Sequence, residues 1–457
     1  MAVPSERRVI ATHAGTVLIG QLAVMAFGVT DTIVAGRYDE GALAALSVGA
    51  AIFISVYVSL MGGLQALLPI WAELHGAGRG DEVGRSVRQS LYLCAIAMVL
   101  GMAVLLAPGP LLRWTDVPPA MQADVTAYLG VLAFALPPAL LFRVFSTLNQ
   151  SLGRPRLVTW LQIGSLFLKV PLSIWFTFGG AGLPSMGLVG VGWATLVVNY
   201  TMLLVALWLL RHADYYRSYR LWQRIERPDW AQLRQFARLG LPGGLAVLVE
   251  VTSFTLMALF IARLGNAAAA AHQIASNLTA VAYMVPLSLG LATSARVSYW
   301  LGAGDAAKAR RACATGLVMA VLCALALAGA MVASRWQLAA VYSQNPAVIR
   351  MAALLLLATA TYQIADAVQT MCVFILRCYR VTVAPLLIYC TLLWGVGLGG
   401  SYLLAYRGLG PFEAMQSPLA FWLMSAGALW LTAALFLALL WRAMKLPDKK
   451  GLQRPPG

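Results

Sequence analysis

Gly76-Ala77-Gly78 follows the second long apolar run of the chain, and Gly302-Ala303-Gly304 follows the eighth, 226 residues later. Each triplet leads into acids and then bases: Asp81, Glu82, Arg85 and Arg88 in one case, Asp305, Lys308, Arg310 and Arg311 in the other. The offset is about half of the 457-residue chain. Around the first triplet, apolar segments fall at 9–36, 42–72, 87–109, 123–148, 157–178 and 187–211. Around the second they fall at 236–263, 270–299, 309–333, 347–376, 382–407 and 418–443. Six spans return the chain to the side it started from. The two halves therefore share one orientation and should be related by an axis along the membrane normal, an arrangement that favours a transporter with its substrate between the halves.

Each segment meets the roughly 20 residues that a helix needs to cross a bilayer. Their Leu, Ala, Val and Gly content argues helices, since a barrel shows alternating segments of about ten residues. Several are longer than needed, which predicts tilted or bent helices. Pro137–Pro138, Pro171 and Pro286 are the expected kinks. Composition agrees: 60% of residues are apolar and 11% charged, against roughly 25% charged in soluble proteins. Disorder, collagen and coiled coil are excluded, and no room is left for a large soluble domain. The expected fold class is an all-α polytopic membrane protein with twelve transmembrane helices in two pseudo-symmetric six-helix bundles. Residues 1–211 and 236–443 form the bundles, 212–235 a basic cytoplasmic linker and 444–457 a cytoplasmic tail.

The 33 Lys+Arg against 17 Asp+Glu give a net charge of +16. The basic residues sit between apolar runs, which points to membrane topology and not to nucleic acid. The N-terminus, the loops after even-numbered spans and the C-terminus hold 24 of them, and the loops after odd-numbered spans hold 6. That asymmetry places both termini in the cytoplasm. Arg7 and Arg8 precede a long apolar run without an A-x-A site, so the first span reads as retained. The linker carries Arg217, Arg220, Arg224, Arg227 and Arg234. It reads as a solvated connection with topology charges, the alternative being contact with anionic lipid. The six cysteines show no metal spacing and no disulfide framework.

Three acids lie inside spans: Asp31, Glu250 and Asp366. A charge at a helix centre costs at least ~2.5–3.5 kcal/mol, so such residues are functional-site candidates, with a structural ion pair as the alternative. Tyr362, Asp366 and Gln369 share one helix face, and Ser253 follows Glu250 by three positions. Two carboxylates in one half can share a proton or hold a hard cation such as sodium. Lys169 is the only lysine inside a span and Asp31 the only deep acid of the N-terminal half. A pair is the economical reading, and snorkelling of Lys169 to an interface is the alternative. Tyr283 and Met284 precede Pro286 in span eight, where an aromatic face attracts cations and methionine adapts to varied shapes. His272, Gln273 and Asn277 open the same span; His272 reads as an interfacial histidine before a proton relay. Neither a Walker P-loop nor H-E-x-x-H nor G-x-S-x-G occurs. No enzyme activity and no cofactor are expected.

Val29-Thr30-Asp31-Thr32-Ile33-Val34-Ala35-Gly36 with Leu43-Ala44-Ala45-Leu46 resembles the span-one signature of the multidrug and toxic compound extrusion (MATE) family. Glu250-Val251-Thr252 resembles the span-seven motif of its bacterial NorM-type branch. Ala271-His272-Gln273-Ile274, Tyr283-Met284-Val285-Pro286, Ala295-Arg296-Val297 and Leu301-Gly302-Ala303-Gly304 resemble the span-eight region. Asp366-Ala367-Val368-Gln369 and Leu376-Arg377 resemble the span-ten motif. The resemblance runs in order along essentially the whole chain. It implies two six-helix bundles set as a V around a central cavity. It also implies export of cationic, amphipathic drugs and dyes in exchange for sodium ions or protons.

By motif position Glu250 and Asp366 would be the cation carboxylates of the C-terminal half, which would hold sodium if the coupling ion is sodium. Tyr283 would offer its ring to the cation, with Tyr362 beside it. Gln369, Met284 and Asn277 complete the expected contacts. Asp31 would be the N-terminal-half carboxylate that releases helix one. Many NorM-type sequences have asparagines in span five where this chain has Lys169 and Ser173, so Asp31–Lys169 is expected to be a gating or structural pair and not a sodium site. The expected partners are cationic drugs and membrane lipid, with no nucleic acid, for a monomer in the inner (plasma) membrane. A flippase for a lipid-linked oligosaccharide is the alternative. An anionic pyrophosphate head group would call for several cations in the spans, and there are three (Arg143, Lys169 and Arg296) beside three acids.

Overall fold

The computed structural model describes residues 5–114, 118–180, 182–408 and 413–445. Most of the tail expected at 444–457 lies outside the described residues. Among the described residues twelve helices are long and apolar enough to cross a membrane: α1 (Glu6–Tyr38), α2 (Glu40–Gly76), α3 (Gly80–Leu106), α4 (Met121–Ser151), α5 (Pro155–Phe178) and α6 (Leu188–His212) in the first half. The second half holds α7 (Trp230–Ala262), α8 (Asn266–Gly302), α9 (Ala306–Ala333), α10 (Pro346–Cys378), α11 (Val383–Tyr406) and α12 (Pro418–Lys445). Each matches one apolar segment, with limits that agree to within seven residues. Large apolar side chains point outward along them, such as Phe167, Trp160 and Val99, as expected of surfaces solvated by lipid.

Helix starts are set by short polar side chains that accept orphan N–H groups. Asp39 accepts from Ala42 N at 3.1 Å, Asp305 from Lys308 N at 2.9 Å and Asn345 from Ala347 N at 2.9 Å. Pro346 follows Asn345 at the first helical position, where its missing N–H costs nothing. The Gly-Ala-Gly triplets are helix ends. Gly78 and Gly304 have φ of +72° and +76°, the left-handed conformation that glycine adopts without strain. Gly76 and Gly302 serve close approach instead. A Cβ on Gly76 would lie 2.0 Å from the Tyr299 carbonyl oxygen, and one on Gly302 would lie 1.9 Å from that of Glu73. Glu73 and Tyr299 are themselves 226 residues apart, so the ends of α2 and α8 cross through a reciprocal contact.

The prolines expected to kink helices all lie inside unbroken helices: Pro137–Pro138 in α4, Pro171 in α5 and Pro286 in α8, with Pro242 in α7. The irregular winding is elsewhere. Between Cys390 and Gly399, α11 is a π-helix, a geometry that recurs at functional sites.

The chain divides into two compact units. One comprises residues 11–248 and 298–304. Its core includes Trp71, Leu67, Leu132, Leu136 and Phe236, and the buried Trp71 indole donates to Ser86 Oγ at 3.0 Å. The other comprises the described residues of 1–10, 249–297 and 305–457. The start of α1 belongs to it through Glu6, which accepts from Arg296 Nε at 3.1 Å and Nη2 at 2.5 Å.

Candidate functional site

In the unit that holds most of the second half, four helices each turn one face to a pocket of about 380 Å³, counting its open mouth. Helix α7 gives Glu250, Ser253, Phe254 and Met257, one stripe at i, i+3, i+4, i+7. From α10 come Tyr362 and Gln369; from α11 Leu393 and Gly397; from α12 Ser425 and Leu429. Leu393 and Gly397 sit in the π-helical stretch.

Asp366 lies one turn beyond Tyr362 on the same face of α10 and is 2% exposed. Its Oδ1 accepts from Gln369 Nε2 at 2.8 Å. The Gln369 amide also reaches Thr370 Oγ1 at 3.2 Å, and its Oε1 accepts from the Tyr389 hydroxyl. Gln369 thus links the carboxylate to α11. Glu250 and Asp366 are close enough to interact electrostatically, and Glu250 also senses Arg377. Among the described residues neither acid has an ion-pair partner within 4.0 Å. The Tyr362 ring packs edge-on against Phe254 at 5.9 Å and Trp422 at 5.6 Å. These rings make an aromatic wall beside the acids.

The remaining expected contacts are spread along α8. Tyr283 is half-buried and is a hydrogen-bond partner of Thr370. Met284 is half-buried, and neither it nor Tyr283 is among the pocket-lining residues. Asn277 is exposed and accepts from Gln273 Nε2 at 3.1 Å, away from the pocket lining. His272 packs on Trp422 at 5.8 Å and meets Ser276 Oγ at 3.3 Å.

Asp31 and Lys169 belong to the other unit and form an ion pair of 2.7 Å. The lysine is wholly buried and the aspartate side chain 14% exposed. Lys169 also donates to Thr195 Oγ1 at 2.6 Å and to the Val191 carbonyl at 3.3 Å. Three ammonium protons thus meet three acceptors on α1 and α6. Ser173 Oγ donates to Asp31 at 3.5 Å. A buried pair with its hydrogen bonds completed is held firmly, while removal of one partner strands a charge.

Sequence reasoning missed Phe254, Trp422, Tyr389 and the π-helical wall of Leu393 and Gly397. An aromatic or leucine inside an apolar span has no contrast with its neighbours. The run Trp394-Gly395-Val396-Gly397-Leu398-Gly399, dense in glycine, was the available signal of irregular winding.

The MatE family model matches residues 17–175 and 242–403, two blocks that repeat the spacing of the Gly-Ala-Gly triplets. The probable multidrug resistance protein NorM of Aromatoleum aromaticum is 37% identical over 95% of this chain and 94% of its own length. The multidrug resistance protein PmpM of Pseudomonas aeruginosa is 36% identical over 92% of this chain and 87% of its own. The crystal structure of the eukaryotic MATE transporter AtDTX14 superposes with a TM-score of 0.85 at 18% identity, covering 96% of this chain and 97% of that one, and shows the shared fold. The chain belongs to the MatE family, as a bacterial NorM-type membrane transporter and not an enzyme.

Proposed function

We propose that the protein is a secondary active multidrug exporter, which expels cationic, amphipathic drugs and dyes in exchange for sodium ions or protons. The observation that carries the reading is the pocket of the second unit. Glu250, half-buried in the pocket lining, and Asp366, buried one turn from Tyr362, have no ion-pair partner within 4.0 Å among the described residues, and the rings of Phe254 and Tyr362 line the same pocket. Carboxylates supply the charge that binds a coupling ion, and aromatic faces attract cations. The names of the NorM and PmpM relatives support drugs as the cargo.

In this mechanism Glu250 and Asp366 take up the coupling ion, which weakens drug binding and releases the drug outside. The inward-facing state then releases the ion and binds the next drug. Exchange is driven by the different affinities of the two ligands for the two states. Gln369 positions Asp366, and Asp31–Lys169 acts as a gate pair whose parting frees α1. Tyr283 and Met284 lie on α8 where substrate would pass. Both termini are cytoplasmic and the protein works as a monomer in the plasma membrane.

The test is ethidium efflux from proteoliposomes under a sodium gradient and a proton gradient applied separately, at clamped voltage. Efflux with one gradient names the coupling ion. Glu250→Gln and Asp366→Asn should each cut driven efflux at least tenfold while membrane insertion is unchanged. Normal efflux in both variants removes this pocket from the mechanism. Efflux with neither gradient in the unmodified protein rejects the antiporter and turns attention to a lipid-linked substrate.

A further inference from the structure

The linker between α6 and α7 is anchored at its start by Tyr216 on Asn149 of α4 and by Tyr219 against His75 of α2, and then stitched to α3. Asp214 pairs with Arg217 within the linker at 3.1 Å, while the two later acids turn to α3: Glu226 accepts from Arg88 through Nε at 3.0 Å and through Nη2, and Asp229 meets Arg85 at 3.4 Å. Its backbone is held as well. Arg88 Nη1 donates to the Arg220 carbonyl at 2.6 Å, Gln89 Nε2 to that of Arg227 at 3.0 Å, and Tyr92 to that of Glu226 at 2.9 Å. Asp229 N donates back to Gln89 Oε1 at 2.9 Å.

With Glu226 and Asp229 paired to α3, the stretch from Trp222 to Arg234 presents unpaired basic side chains outward. Arg224, Arg227 and Arg234 are exposed, and among the described residues their side chains meet no acid. Between them stand Trp222, Ile225 and Trp230, which are 51%, 53% and 76% exposed. A connection solvated by water has no reason to present two indoles and an isoleucine on the face where its arginines are unpaired.

Helix α7 fixes the depth of this face. Trp230, Arg234, Leu241 and Leu245 share one side of the helix, and Leu241 and Leu245 are the exposed apolar residues that continue it into the span. At 1.5 Å per residue, Arg234 lies roughly 10 Å along the helix from Leu241. If Leu241 faces hydrocarbon, Arg234 and the linker stand at the headgroup layer. Tryptophan and arginine together are the composition of that layer.

We propose that the outer face formed by Trp222, Arg224, Ile225, Arg227, Trp230 and Arg234 binds the phosphate headgroups of anionic phospholipid. The indoles and Ile225 enter the interface and the three guanidinium groups meet the phosphates. Transport and its coupling ion play no part in this argument.

The test is competition between phosphatidylglycerol and phosphatidylcholine of matched acyl chains for the full chain, with bound lipid counted by native mass spectrometry. Each arginine at an anionic surface contributes about fivefold, so Arg224→Gln, Arg227→Gln and Arg234→Gln together should lower the preference for phosphatidylglycerol at least tenfold. The corresponding triple lysine variant should keep most of it. Trp222→Ala with Trp230→Ala should weaken binding of both lipids. Arg310→Gln with Arg311→Gln, in the basic run after α8, should leave the preference unchanged. The proposal is overturned if the unmodified protein shows no preference, if the glutamine triple retains it, or if the Arg310/Arg311 pair removes as much.

Discussion

Adding one methyl group at Gly76 should loosen a segment more than 220 residues away. The Cβ of Gly76→Ala would stand 2.0 Å from the Tyr299 carbonyl oxygen, whereas carbon and carbonyl oxygen ordinarily approach to about 3.3–3.6 Å. The obstruction is backbone, so no rotamer change relieves it. The helix ends must part by roughly 1.3 Å, and forced overpacking of this kind costs about 1–3 kcal/mol. Local opening of the crossing should become about 5- to 150-fold more populated. Amide hydrogen exchange reads that directly: Gly76→Ala should speed exchange in residues 299–304, and Gly302→Ala in residues 73–76.

The reciprocal geometry makes a second demand. Gly302→Ala places its Cβ 1.9 Å from the Glu73 carbonyl, and one parting of the helices relieves both clashes. The double variant should therefore cost clearly less than the two single costs added, a coupling that a double-mutant cycle measures. Gly164→Ala is the control, since a Cβ there meets nothing within 4 Å. Unchanged exchange at 299–304 in Gly76→Ala would refute the reasoning. Strict additivity in the double variant would refute the shared crossing.

Two further outcomes follow from the ion pairs. Lys169→Met should destabilise the protein by about 3–5 kcal/mol, because it strands Asp31; with Asp31→Asn added, much of that loss should return, as read by thermal midpoints of the three variants. The Arg88 guanidinium, hydrogen-bonded to Glu226, holds that linker carboxyl at about 2, below its ordinary 4.5. An unfolded linker thus takes up a proton that the docked one refuses, so the contribution of the pair is whole above about pH 4.5 and is lost as pH falls towards 2. Pepsin nicking of the linker should rise across that window in the unmodified protein, and Glu226→Gln should be nicked with far less dependence on pH.

What was legible in the sequence was what one helix decides alone. Span limits follow from local hydropathy, which is why all twelve agree to within seven residues. The Gly-Ala-Gly triplets were legible as a repeat, but their partners were not. That Gly76 abuts Tyr299 and Gly302 abuts Glu73 depends on how α2 and α8 cross. Lys169 and Asp31 could be matched because a buried ammonium needs an acid and the first half offers one deep candidate. The wall of Phe254 and Trp422, and the link from Tyr389 through Gln369 to Asp366, needed knowledge of which faces meet. The same ignorance put Asn277 beside the site by its helix, while the structure has it exposed and bonded to Gln273. The π-helical winding of α11 has no period that hydropathy can report.

The two acid sites differ in what completes them, and that difference supports the separate roles proposed for them. Asp31 is matched inside its own unit: Lys169 neutralises it, Ser173 donates to it, and the remaining lysine protons go to Thr195 and Val191. Nothing there asks for a further cation. Glu250 and Asp366 have a neutral amide from Gln369 and only the longer-range influence of Arg377. Two neighbouring carboxylates beside one amide donor leave negative charge unmet where Asp366 is buried, and a charge so placed is costly unless something neutralises it. The chain offers these two acids no ion-pair partner within 4.0 Å among its described residues, which supports the proposal that a proton or cation from outside balances them. An ion that completes a site in this way binds with a free energy that the protein can exchange against a drug, whereas an ion pair built into the chain has nothing to exchange. This contrast supports the proposal that coupling runs through Glu250 and Asp366, with Asp31 holding α1 or releasing it.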